Sequence, residues 1–177
     1  MTPGRIAAGR IAAKTGADVA AEVIALLIER RLTIAVAESL TGGLLVAELI
    51  GVPGASATVF GAVVAYNTAL KQSVLGVDAD LLADQGPVHP EVACQMADRV
   101  RTSLAVNGVP ADIGLSTTGV AGPGAQDGHS AGTVYLGFAI GEDVSSLRLE
   151  LGGDRAAIRQ QTVSESLSRL KNALASW

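Results

Sequence analysis

The sequence predicts an α/β protein built on a mainly parallel sheet covered by helices on both faces. Three observations point there. Short, apolar, β-branched runs recur along the chain. Segments with helical spacing separate them, which is the pattern of strands joined by crossover helices. The last two strand-like runs follow each other directly, so a late hairpin adds antiparallel character. Hydrophobic residues make up 49% of the 177 residues and charged residues 17%, which excludes disorder and supplies a sizeable core. Aromatics are only 3%, so aliphatic side chains must build that core.

Residues 1–16 carry Arg5, Arg10 and Lys14 but no acid and no long apolar stretch, and read as a flexible leader before a single domain over 17–177. Ala17 to Arg31 places Val19, Val23, Leu26 and Leu27 at helical spacing. Leu32 to Ala37 reads as a buried strand. Thr41 then reads as the N-cap of a helix over Gly42 to Ile50. Leu49 to Leu70 has no charge, but Gly51-Val52-Pro53-Gly54 breaks it. A turn and a strand over Thr58 to Tyr66 fit it better than a membrane span. Asn67 caps a helix running to about Leu75. Val88 to Val106 is a long helix with Pro90 in its first turn. Ala111 to Thr118 is the third strand, followed by a Gly-rich loop. Thr133 to Ile140 and Val144 to Leu151 form the hairpin, and Asp154 to Ala175 is a closing amphipathic helix.

A net charge of −4 argues against a nucleic-acid-binding surface. The single cysteine, Cys94, excludes a disulfide framework, fits a cytoplasmic setting and reads as core. With only two histidines beside it, no zinc site is expected. His89 reads as a helix-start residue and His129 as a solvated loop residue. The chain has no P-loop, no dinucleotide fingerprint and no G-x-S-x-G elbow. Ser168-x-x-Lys171 lies inside the closing helix and reads as a chance match.

In open α/β sheets the functional crevice lies beyond the carboxyl ends of the strands. Three such ends carry hydroxyls here: Ser39 and Thr41, then Tyr66-Asn67, then Thr117-Thr118-Gly119. Gly42 and Gly43 would leave N–H groups open for a phosphate, a carboxylate or an oxyanion. Lys71 follows a buried strand near a helix start. Both features lower an amine's pKa, and a neutral lysine serves as a general base. Position alone leaves a solvated surface lysine as an equal alternative. Tyr66 is placed to pass a proton between Lys71 and a serine.

Six motifs in order resemble the CinA C-terminal domain family. They are Ala37-Glu38-Ser39-Leu40-Thr41-Gly42-Gly43, Val52-Pro53-Gly54-Ala55-Ser56, Tyr66-Asn67-x-x-x-Lys71, Thr118-Gly119-Val120-Ala121-Gly122-Pro123, Gly132-Thr133-Val134 and Gly153-Asp154-Arg155. The resemblance covers roughly Ala17 to Leu174. It implies a three-layer α/β/α sandwich with a mixed sheet of about five strands. It implies hydrolysis of nicotinamide mononucleotide to nicotinic acid mononucleotide and ammonia, with no cofactor. It also implies the stand-alone form of a domain that larger relatives fuse to another.

By that resemblance Ser56 is the preferred nucleophile and Ser39 the second candidate, with Lys71 as base and Tyr66 as relay. Ala55 stands where the family has a further serine, and the Gly122 to Gly132 loop is short. Thr41, Gly42, Gly43, Asn67, Thr118, Gly119 and Arg155 are the substrate-binding candidates, Arg155 for the phosphate. The expected partner is a pyridine nucleotide, with no nucleic acid and no membrane, and a homodimer is plausible for so small an apolar-rich domain. The rival reading is a non-catalytic nucleotide-binding module using the same pocket.

Overall fold

A computed structural model describes residues 16–177. The expected leader lies outside the described residues, except that Gly16 begins the first helix. The elements are α1 (Gly16–Arg30), β1 (Ile34–Glu38), α2 (Leu44–Ile50), β2 (Val59–Val64), α3 (Thr68–Ser73), α4 (Ala79–Gln85), α5 (Pro90–Ser103), β3 (Ile113–Gly119), β4 (Thr133–Ile140), β5 (Asp143–Glu150) and α6 (Arg155–Ser176). A 3-10 turn at Ala55–Ala57 precedes β2.

The five strands form one open sheet in the order β2-β1-β3-β4-β5. β1 pairs in parallel with β2 and with β3, whereas β3–β4 and β4–β5 are antiparallel. The parallel half holds the first three strands, and the late hairpin supplies the rest. Side chains alternate across β1. Ile34 and Val36 join the core beneath α1, α2 and α6, while Ala35 and Ala37 face α5. The result is the three-layer α/β/α arrangement.

The α5 face owes its closeness to missing side chains. A Cβ on Gly114 would lie 1.7 Å from the Ala97 carbonyl oxygen, and one on Gly137 2.1 Å from that of Ala93. Ser116 between them donates to the Ala93 carbonyl at 2.7 Å. Small residues on helix and sheet thus let two backbones nearly touch.

Three local expectations need correction. Thr41 does not cap α2. Its hydroxyl bonds that of Thr117 at 2.8 Å, and the N-cap position falls on Gly43. The cap is supplied by Glu38 (see below). The helix expected over Val88 to Val106 ends at Ser103, and Val106 instead pairs with Val109 around Asn107-Gly108, both at positive φ. Cys94 is half-buried, not core, and its thiol sits beside Ser146 with its pKa pushed up, chiefly by burial. Among the additions is α4, capped by Asp78, whose carboxylate accepts from Asp80 and Leu81 N–H.

Gly114→Ala tests the close seating of α5. No rotamer relieves a contact made by Cβ, so the helix must lift from the sheet. The loss of stability should be at least about 1–3 kcal/mol, read as an earlier urea midpoint with an unchanged m-value.

Candidate active site

The connections from β1 run to opposite faces. α2 lies on one side on the way to β2, and α3 to α5 lie on the other on the way to β3. Such a switch point opens a crevice at the carboxyl edge of the sheet. A cavity of about 320 Å³ lies there, within the size range of small-molecule sites. Its walls come from the ends of β1 and β3, the start of α3, the first residue of α6 and the loop after β3.

Lys71 is 1% exposed, and it reaches the cavity by its tip. Its Nζ donates to the Ala65 carbonyl at 2.8 Å and lies 3.0 Å from Ser39 Oγ. No carboxylate among the described residues forms an ion pair with it. Burial therefore acts unopposed and lowers its pKa from 10.5 to about 8. The helix-dipole argument contributes little. α3 has six residues, which leaves Lys71 as near one end as the other. In the neutral amine the Ala65 carbonyl can only accept, so it takes one N–H. The lone pair is then available to the Ser39 hydroxyl, which turns from acceptor to donor.

Ser39 is held by the residue before it. Glu38 is fully buried at the end of β1, and its carboxylate accepts from the N–H groups of Gly43 at 2.9 Å, Leu45 at 3.1 Å and Val46 at 2.9 Å. This one side chain caps α2 from five residues upstream and closes residues 39–43 into a tight turn. Gly42 and Gly43 adopt positive φ of 59° and 95° there. Contrary to the expectation from sequence, their N–H groups are not open to a ligand. Gly43 N–H serves Glu38, and Gly42 N–H donates to the Ser39 carbonyl at 3.2 Å.

Ser56 is the main correction. It is exposed in the 3-10 turn that precedes β2, whereas Ser39 and Lys71 lie beyond the far end of that strand. β2 runs parallel to β1, so the two ends are separated by its six residues, on the order of 20 Å. Ser56 opens onto a different, apolar surface beside Ile50 and Phe60. Within one chain it cannot exchange a proton with Lys71.

The relay assigned to Tyr66 is also not what the geometry offers. Its hydroxyl accepts from Arg155 Nη2 at 2.8 Å, and its ring is 60% exposed at the cavity mouth. Arg155 Nη1 donates to the Gly122 carbonyl at 2.8 Å, which ties the start of α6 to the loop after β3. Asp154 does not pair with it but caps α6 through Ala157 N–H. Asn67 is spent as the N-cap of α3, accepting from Ala69 N–H. Thr118 and Gly119 line the cavity, but the Thr118 hydroxyl donates to the Pro87 carbonyl at 2.6 Å. Thr41 is buried away from the cavity. Of the wall from Ala121 to Gln126, sequence reasoning marked Ala121 to Pro123 only as part of a family motif and chose no binding residue there, and it missed Arg159 of α6, which bonds the Ser39 turn. His129 is half-buried and outside the cavity walls.

Fold and site together define an α/β domain that buries a lysine against a serine at the carboxyl edge of its sheet. The family follows from comparison with known proteins. Residues 16–174 match the CinA C-terminal domain, and the chain belongs to that family. A CinA-like protein of Frankia casuarinae is 44% identical over 162 residues, which is 90% of this chain and 36% of the relative. A putative competence-damage inducible protein of Geobacillus kaustophilus is 48% identical over 137 residues, 77% of this chain and 32% of the relative. The chain thus spans about a third of the length of these curated relatives. Among solved structures, a competence-damaged protein (CinA) superfamily protein from Klebsiella pneumoniae superposes with a TM-score of 0.87 at 30% identity, covering 93% of this chain and all of the other. The competence/damage inducible protein CihA from Agrobacterium tumefaciens gives 0.81 at 30% identity, covering 90% and 95%.

The lysine makes stability pH-dependent with a definite sign. The unfolded chain keeps the Lys71 proton up to 10.5, while the folded chain releases it near 8. Between those values the unfolded state binds more protons, so folding gains stability as pH rises. Relative to Lys71→Met, the wild type should gain up to about 3 kcal/mol across that window, measured by urea unfolding of both proteins at several pH values. A flat difference would show that the ammonium is not penalised.

Proposed function

We propose that the domain hydrolyses the carboxamide of nicotinamide mononucleotide, giving nicotinic acid mononucleotide and ammonia, with Ser39 as nucleophile and Lys71 as base. The observation that carries the proposal is the 3.0 Å contact between Ser39 Oγ and a Lys71 Nζ whose burial favours the neutral amine. Membership of the CinA family supports the choice of substrate through the resemblance in the ordered motifs.

The chemistry runs through a short proton path. Neutral Lys71 takes the hydroxyl proton as Ser39 Oγ attacks the carboxamide carbon. The tetrahedral intermediate collapses, its C–N bond breaks, and the Lys71 ammonium returns the proton to the leaving nitrogen, so ammonia departs. Water then adds to the Ser39 ester with Lys71 again as base, and the acid leaves with Ser39 restored. The exposed Tyr66 ring offers a flat face to the pyridine. Arg155, held by Tyr66 and the Gly122 carbonyl, retains free N–H donors for the phosphate.

Ammonia release from nicotinamide mononucleotide by the purified chain is the primary test. Ser39→Ala should abolish it and Ser56→Ala should leave it near the wild-type rate. Lys71→Met and Lys71→Arg should be equally inactive, since guanidinium keeps its proton near neutrality. Wild-type activity should rise with pH through the Lys71 value of about 8. Binding of the mononucleotide without ammonia release would instead identify a sensing module.

Arg155→Ala should mainly raise KM, because a phosphate contact persists from ground state to transition state. The exposed position reduces the effect, and a rise of roughly tenfold, about 1.4 kcal/mol, is expected. An unchanged KM would remove Arg155 from phosphate recognition.

A further inference from the structure

Two successive backbone N–H groups, those of Leu40 and Thr41, have no hydrogen-bond partner among the described residues. Leu40 is 3% exposed and Thr41 fully buried. Orphaned N–H groups at such depth are rare and unfavourable. These two lie in the turn that immediately follows Ser39, and Leu40 forms part of the cavity wall.

Arg159 of α6 grips the same turn through its carbonyls. Its Nε donates to the Leu40 carbonyl at 2.9 Å and its Nη2 to the Thr41 carbonyl at 2.8 Å. The trans peptide plane connects these bonds to the orphaned donors. The Leu40 carbonyl shares its plane with Thr41 N–H, so drawing the oxygen toward Arg159 turns that N–H the opposite way. The Thr41 carbonyl shares its plane with Gly42 N–H, which donates to the Ser39 carbonyl at 3.2 Å. That carbonyl in turn shares its plane with Leu40 N–H. Each orphaned N–H is therefore the free end of an amide chain that starts at the guanidinium. Gly42, at φ +59°, takes a conformation that favours glycine, and Arg159 Nη2 lies at contact distance from it, 3.4 Å from where a Cβ would sit.

We propose that Arg159 is a positioning residue for hydrolysis at Ser39, holding the turn and polarising the Leu40 N–H as a donor to the developing oxyanion, while the Thr41 N–H, buried away from the cavity, only reports the same polarisation. The inference rests on the reading of Ser39 as the nucleophile. Arg159 itself does not touch substrate. A positive group on each carbonyl strengthens the N–H at the other end of the amide, by about 10–30% per bond. The planar fork meets two successive carbonyls at once, which a compact ammonium does not reproduce. A tight-turn N–H already aimed when the charge forms needs no rearrangement during reaction, which is what oxyanion stabilisation requires.

The test compares Arg159→Met and Arg159→Lys with a control, Arg169→Met, whose side chain pairs with Glu165 on the exposed face of α6. The first readout is the amide spectrum of ¹⁵N-labelled protein, which does not depend on turnover. The Leu40 and Thr41 amide protons should move upfield in Arg159→Met, part-way in Arg159→Lys, and not at all in the control. Arg159→Lys, which keeps the charge, protects the comparison if the methionine variant folds poorly. The second readout is reaction with an alkyl fluorophosphonate. Ser39 Oγ attacks phosphorus, fluoride leaves, Lys71 takes the proton, and the phosphoryl oxygen occupies the oxyanion position. The third is turnover of nicotinamide mononucleotide. In Arg159→Met both rates should fall roughly tenfold to a hundredfold, less than the ~10²–10³ for deleting a donor outright. KM should stay within about twofold, since the loss concerns the transition state. Unmoved Leu40 and Thr41 resonances, or an unchanged phosphonylation rate, overturn the role of Arg159 while leaving Ser39 as nucleophile. A wild type that is neither phosphonylated at Ser39 nor active overturns the Ser39 reading, and this inference with it.

Discussion

The site depends on a lysine that the fold has buried without giving it a counter-charge among the described residues. Lys71 crosses from a short exposed helix into the crevice and ends on one carbonyl and one hydroxyl. A carboxylate at that spot would have kept the ammonium charged and made the pair a structural ion bridge. A carbonyl and a hydroxyl leave the charge poorly solvated, and the loss of a proton relieves it. In the proposed mechanism the reactivity of Ser39 follows from what surrounds the lysine, and the folding cost of that burial is part of the same arrangement.

The proposed role of Lys71 as base requires that the serine stay within a hydrogen bond of it. Two opposite charges on two different elements fix the turn that carries Ser39. Glu38, from the end of β1, takes three N–H groups on the far side of the turn. Arg159, from α6, takes two of its carbonyls. The first fixes where α2 begins, and the second ties the turn to the outer layer. This also gives α6 a second task beyond packing, since its first turn supplies Arg155 to the cavity and its second supplies Arg159 to the turn.

Much of the fold was legible because its periodicities are clean. The buried runs around Ile34 to Ala37 and Ala111 to Thr118, the hairpin and the long helices follow from apolar spacing and caps such as Asn67, His89 and Asp154. What failed locally was capping by a distant residue. Thr41 has the right chemistry for a cap and the right place, yet a carboxylate three residues before it wins because burial leaves Glu38 no water to bond. Local sequence shows which groups can cap, but not which will be buried. α4 was missed for a related reason. It is short, seven residues, and buries none of them fully, so its apolar pattern is weak.

The site was legible by edge but not by residue. The rule that chemistry gathers at the carboxyl ends of strands placed Ser39, Tyr66, Lys71 and Thr118 together, and the structure brings all four to one cavity. Ser56 violates that same rule, since it precedes its strand, and the motif resemblance alone promoted it. Chain direction is the stronger constraint here. In a parallel pair, a residue before one strand and a residue after its neighbour are separated by the full length of the sheet, however close they look in sequence. Seventeen residues separate Ser39 from Ser56 and thirty-two separate it from Lys71, yet the more distant residue is the one in contact. The sequence motif identifies both serines with the family, and only the direction of β2 decides which of them shares a crevice with the lysine.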